Sequence, residues 1–130
     1  MKILVRILFL ISVLTALSTV AFGQKTRIKF ARGAVSTVVS GTLAGWKSHR
    51  TFVAHVRKGQ QLTTEQVGKN DITITIEGPA GSNYEQDMAA DCHSHNDINP
   101  TAAGDYTLTV TECQKADRWR GPFKMRVRVR

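Results

Sequence analysis

The sequence predicts an all-β fold, a small antiparallel β-sandwich of seven to eight strands. Three observations carry this. Apolar and polar residues alternate with period two over most of residues 26–130. Clusters of Gly, Pro, Asn and Ser interrupt the alternation at short intervals. No stretch after residue 23 keeps a helical period long enough to form a helix. Such alternation means strands with one face on a core and one in water. Many short strands separated by turn signals argue a sandwich.

The elements follow in chain order. "TRIKFA" sets Ile28 and Phe30 against Arg27 and Lys29. Residues 34–43 form a weaker strand candidate. "RTFVAHVR" alternates Phe52, Ala54 and Val56 with Val53, His55 and Arg57, and residues 60–67 are again weaker. "DITITIEG" places Ile72, Ile74 and Ile76 on one face and two threonines on the other. Residues 84–100, "YEQDMAADCHSHNDINP", alternate poorly. They read as a strand fragment around 87–90 followed by a long loop held by Cys92. "DYTLTVTE" alternates Tyr106, Leu108 and Val110 with threonines, and "FKMRVRVR" alternates Phe123, Met125, Val127 and Val129 with four cations. The punctuation is "ARG", "AGW", "KGQ", "GPAGS", "NPTAAGD" and "RGP".

Residues 1–23 read as a cleaved export signal. Lys2 and Arg6 give a basic start, and a mostly apolar run follows. Ala21 and Gly23 sit at the small-residue positions of a cleavage site. The run is shorter than the ~20 residues that span a bilayer. A mature chain of residues 24–130 suits one domain with one core. In an exported chain the two cysteines, Cys92 and Cys113, read as a disulfide. Closing that loop is worth on the order of 3 kcal/mol in the chain-entropy model.

Charge is unevenly spread. Residues 24–58 hold eight cations and no acid, residues 59–114 nine acids and one Lys, and residues 115–130 seven cations and one Asp. If the two basic ends meet in space, one face becomes strongly positive and attracts an acidic partner.

Several chemistries lack their residues. Cys92, His93, His95 and Asp97 lie close together, but a structural zinc site wants a second spaced pair, and Cys92 is better used in the disulfide. No metal and no cofactor are expected. The acids appear scattered in turns and on outer strand faces, neither GxSxG nor HExxH occurs, and His49 beside Ser48 has no orienting partner. The chain therefore reads as a non-enzyme. Arginines alternating on one strand could meet phosphates, but export separates the protein from its own nucleic acid. Arg126, Arg128 and Arg130 have a plainer role in protecting an edge strand from pairing with another chain.

One connection is overbuilt. "CQKADRWRGP", residues 113–122, joins two clean strands yet carries Lys115, Arg118, Trp119 and Arg120 where a turn would suffice.

The run "RIKFARGAVSTVVSGTLAGWKSHRTFVAHVRKGQQLT" resembles the opening of the periplasmic inhibitors of g-type lysozyme. The likeness continues through "ITIEGPAG" and "AAGDYTLTV" to the basic loop and last strand. Departures are Trp46 in place of Tyr, the cysteine pair, and the poorly aligning residues 84–100. "SGTL", "KGQQL" and "GDYTLTV" also look like the broader prepeptidase C-terminal type of β-sandwich. The resemblance implies a periplasmic protein of a Gram-negative bacterium, with no membrane attachment after signal cleavage. Its partner would be a g-type lysozyme whose active-site cleft it plugs. Carried over by position, the contacting aromatic is Trp46 and the basic residue Arg118. A second basic position falls on Gln114 or Lys115, with Lys115 preferred. Trp119 either fills a sugar subsite or covers the end of the core, and Arg120 joins the basic loop or is simply solvated. The alternative is a carbohydrate- or cell-wall-binding module.

Overall fold

The computed structural model describes residues 24–86 and 92–130. The export signal and the strand fragment at 87–90 lie outside the described residues. The strands are β1 (Lys25–Arg27), β2 (Ser36–Leu43), β3 (His49–Val56), β4 (Leu62–Val67), β5 (Ile72–Glu77), β6 (His95–Ile98), β7 (Gly104–Glu112) and β8 (Gly121–Val129). They form two four-stranded sheets, β1-β3-β7-β5 and β2-β8-β4-β6, packed as a sandwich.

Period-two alternation decides which residues lie between the sheets. Phe52, Ala54 and Val56 from β3, Ile72, Ile74 and Ile76 from β5, and Tyr106, Leu108 and Val110 from β7 fill one side of the core. Phe123, Met125 and Val127 from β8, with Leu43, Leu62 and Ile98, fill the other. Phe52 meets Phe123 edge to face across the sheets, with ring centroids 6.2 Å apart.

Three expectations need correction. First, β8 is not an edge strand. It lies between β2 and β4, with Val38 and Glu65 its neighbours at Arg126. Its arginines therefore do not protect an edge. Arg126 instead pairs with Glu65 at 2.8 Å across the outer face. That hydrogen bond is the main reason the Glu65 carboxyl titrates below its ordinary value. Second, the first strand is shorter than "TRIKFA" implies: β1 ends at Arg27 and pairs parallel to β3, a short edge on an otherwise antiparallel sandwich. Beyond its three residues, only the Ile28 N–H continues the pairing, donating to the Val53 carbonyl at 2.9 Å. Third, residues 95–98 are a strand, not part of a loop. The inward side chain Asn96 is polar, which hides the alternation. Its amide donates to Thr64 Oγ1 and to the Ile74 carbonyl, both at 3.2 Å, so it ties the two sheets together. The Tyr84 hydroxyl donates to Asn96 Oδ1 at 2.8 Å. A buried amide so satisfied is tolerated in a core.

Two described residues ahead of β6, Gln86 and His93, bond to the open edge of β5. The Ile74 N–H donates to the His93 carbonyl at 2.8 Å, and the Ile76 N–H to Gln86 Oε1 at 2.9 Å. Cys92 and Cys113 are bonded, with Cα atoms 4.8 Å apart. The bond fastens the residue before His93 to the end of β7.

Candidate functional site

The register of β2 on β8 creates the site. Leu43, the last residue of β2, lies opposite Gly121, the first of β8. The turn that leaves β2 and the basic loop that enters β8 must therefore emerge side by side. Lys47 from the first cation-rich segment meets Arg118 and Arg120 from the last at this tip of the sandwich.

The turn is tight. Gly45 has φ +118°, a conformation that side-chain-bearing residues rarely adopt. Ser48 N–H donates to the Gly45 carbonyl at 2.9 Å. Trp46 stands at the apex, 36% exposed, one of the few exposed large apolar side chains among the described residues.

The basic loop, residues 113–120, is anchored at both ends. At its start are the disulfide and a hydrogen bond from Cys113 N–H to the Asp71 carbonyl at 3.0 Å. At its end the Trp119 N–H donates to Glu112 Oε1 at 2.7 Å, and the indole Nε1–H donates to the Asp71 carbonyl at 3.1 Å. Asn70 Nδ2 adds a bond to the Pro122 carbonyl at 2.7 Å. The short turn between β4 and β5 thus buttresses the loop.

Arg118 is the residue this scaffold presents. Its guanidinium carbon lies 4.0 Å from the centroid of the Trp46 ring. Stacking of this kind favours a planar cation over an aromatic face. Among the described residues Arg118 has no carboxylate partner, and its side chain is exposed. A shallow groove of about 580 Å³ runs between the two loops, lined by Gly45, Trp46, Lys47, Arg118, Trp119 and Arg120.

The structure brings Trp46, Arg118, Trp119 and Arg120 onto this groove. Lys115 lies on the same loop, exposed, but does not line it. Trp119 covers the end of the core, one of the two roles expected for it. It is half-buried and packs against the core cluster, while also forming part of the groove wall. Three contributors escape the sequence reading. Lys47 is hidden as an ordinary turn residue. Asp71 acts only through its backbone carbonyl, which no side chain advertises. Glu112 corrects the expectation that acids lie in turns and on outer faces, for it is 1% exposed and points inward. A signal existed, since the period that sends Tyr106, Leu108 and Val110 inward also sends residue 112 inward.

Among the described residues no three His, Cys, Asp or Glu side chains converge as metal ligands. His95 faces Glu65 on the outer face of the sheet.

No family model matches the sequence, and no curated protein is significantly similar to it. Solved structures share its fold. PliG of Aeromonas hydrophila, a periplasmic inhibitor of g-type lysozyme, superposes with a TM-score of 0.63 at 17% identity, over 82% of this chain and 96% of that one. The Salmonella Typhimurium PliG, also an inhibitor of g-type lysozyme, gives 0.60 at 18% identity, over 84% of this chain and 100% of its own. The pre-peptidase C-terminal domain of a Bacillus anthracis collagenase gives 0.51 at 17% identity, over 84% and 97%. The chain thus has the sandwich fold that periplasmic inhibitors of g-type lysozyme share with a prepeptidase C-terminal domain.

Proposed function

We propose that this protein is a periplasmic inhibitor of g-type lysozyme that inserts its basic and aromatic tip into the enzyme's cleft. The observation that carries the reading is the stacking of Arg118 on Trp46, which joins two distant segments into one protruding edge. Glycosidase clefts present carboxylates to a bound sugar chain. Arg118 would form charge-assisted hydrogen bonds to such a carboxylate, and Trp46 would occupy a sugar-stacking subsite and exclude water. Arginine and tryptophan are the residue types that most often dominate interface energetics. Lys47 and Arg120 flank them on the groove, Lys115 lies on the same loop, and these cations would steer an acidic cleft toward the tip. The protein acts by binding and performs no chemistry of its own.

The test is a turbidity assay on cell walls with g-type, c-type and i-type lysozymes, each titrated with purified protein. Selective loss of g-type activity, with a complex on gel filtration, is expected. Undiminished g-type activity at excess protein refutes the reading.

The likeness to a collagenase accessory domain supports a second reading, a carbohydrate- or wall-binding module. Retention on peptidoglycan without any effect on lysozyme would favour it. Export belongs to the proposal too. Protein recovered from the periplasm should have an intact mass that starts at Gln24, and a start several residues away would refute the assigned cleavage site.

A further inference from the structure

Glu112 is the last residue of β7 and occupies a core position. It lies at the tip end of the sandwich, and its side chain is 1% exposed. One carboxylate oxygen, Oε1, accepts the Trp119 N–H at 2.7 Å. The other, Oε2, is the buried side-chain polar atom that has no hydrogen-bond partner among the described residues. Burying a carboxylate is expensive, and a carboxylate with one unsatisfied oxygen is more so. An apolar side chain of similar size would be the better choice for stability alone. A charged residue at such a position is retained for something other than the core.

What it holds is next to the contact surface. Trp119 follows Arg118 directly. Fixing the Trp119 backbone fixes where the Arg118 side chain departs, and that side chain lies 4.0 Å over Trp46. The Trp119 indole is pinned separately, by its bond to the Asp71 carbonyl. The ring can therefore stay in place while the backbone is released, so the two anchors have different jobs.

We infer that Glu112 is a positioning residue for the tip: its buried carboxylate oxygen holds the Trp119 backbone so that Arg118 is stacked on Trp46 before any partner arrives. A loop ordered in advance loses less entropy on association. The functional half of this inference rests on the proposed inhibition, while the structural half rests on geometry alone.

The test compares E112M with E112Q in the full chain. Met fills a similar volume without an acceptor, and Gln keeps a carbonyl acceptor without the charge. Arginine protons held over an indole are shifted upfield by its ring current, so the NMR shifts of the Arg118 δ and ε protons report the stack directly. E112M should melt no lower than E112Q, lose the upfield shift and inhibit about tenfold more weakly than the parent. E112Q should keep the shift and stay within about threefold of the parent's inhibition. An E112M protein that keeps the shift overturns the inference, as does an E112Q protein that loses it. So does an E112M protein that is unfolded or markedly less stable than E112Q, since the buried acceptor then serves stability and not position. If the parent protein fails to inhibit lysozyme, the proposed function falls, and the NMR comparison still decides the role of Glu112.

Discussion

Arginines on this molecule differ by what surrounds them. Arg118 sits at the tip over an aromatic ring, whereas Arg128 stands on the outer face of β8, between Ser36 of β2 and Thr63 of β4. Arg118→Ala should weaken inhibition by roughly 2–5 kcal/mol, the usual cost of removing one partner of a desolvated charge pair, and Arg128→Ala should change mainly the association rate. Inhibition constants with parallel thermal melts measure this, and both variants should melt like the parent. The reverse order of effects would move the binding surface to the outer face of the sheet. Trp46→Ala should also weaken inhibition, through lost contact area and loss of the stack. A second residue-scale prediction concerns Asp105. Its carboxyl is held down to about 2, first by the Arg27 guanidinium and then by His55, which lie 3.0 and 2.8 Å away. A carboxylate depressed in the folded state stabilises it above the unfolded titration range, and that stability is lost as pH falls through the folded value. Asp105→Asn should therefore flatten the stability curve between ~pH 4 and pH 2. An unchanged acid limb in pH-dependent melts would show that exposure and salt screen the cluster completely.

At the scale of elements, the central position of β8 makes its neighbours sensitive. Gly41 on β2 faces inward, and a Cβ placed there would come within 2.7 Å of Phe123 Cε1. The Phe123 ring is itself set against Phe52, so it cannot swing away freely. Gly41→Ala should cost about 1–3 kcal/mol, as overpacking of a core does. Urea unfolding reads the loss, and a neutral outcome would mean the Phe123 ring relocates without strain. The disulfide acts on a different element, the path from β5 to β6. Replacing both cysteines with Ser should lower stability on the order of 3 kcal/mol. Thiol titration of the denatured, unreduced parent should find no free thiol. Elements were also where sequence patterns misled. The alternating arginines of β8 look like edge protection, because a cationic face occurs on edge and interior strands alike. Their neighbour turned out to be Glu65, some sixty residues earlier in the chain. The polar stretch around Asn96 looks like a loop, because a four-residue strand with an amide at one of its two inward positions carries little apolar signal.

For the molecule as a whole, charge placement sets how a partner is met. Residues 24–130 carry 16 Lys and Arg against 10 Asp and Glu, a formal charge of +6, and both cation-rich segments contribute residues to one tip. Complementary charge raises the rate of encounter more than it slows escape. The association rate with g-type lysozyme should therefore fall steeply as salt rises, while the dissociation rate changes little. Stopped-flow or surface measurements at several ionic strengths decide this, and a salt-independent association rate would remove steering from the account.

The amino-acid sequence by itself determined which side of the clearly alternating strands faces the core. Alternation is a local property, and Ile72, Ile74, Ile76, Tyr106, Leu108 and Val110 could each be assigned from their immediate neighbours. It also singled out the overbuilt loop, because cations and a large aromatic have no reason to occupy a plain turn, whereas Trp46 came from the resemblance to the lysozyme inhibitors. Which strands lie side by side was decided only in the tertiary structure, since pairing depends on contacts far apart in the chain. The placement of β2 against β8 set Leu43 opposite Gly121 and so brought Arg118 over Trp46. The support beneath them came from the same source. A backbone carbonyl at Asp71 and a buried carboxylate at Glu112 hold the loop through bonds to Trp119, and these exist only once the two sheets have closed on one another.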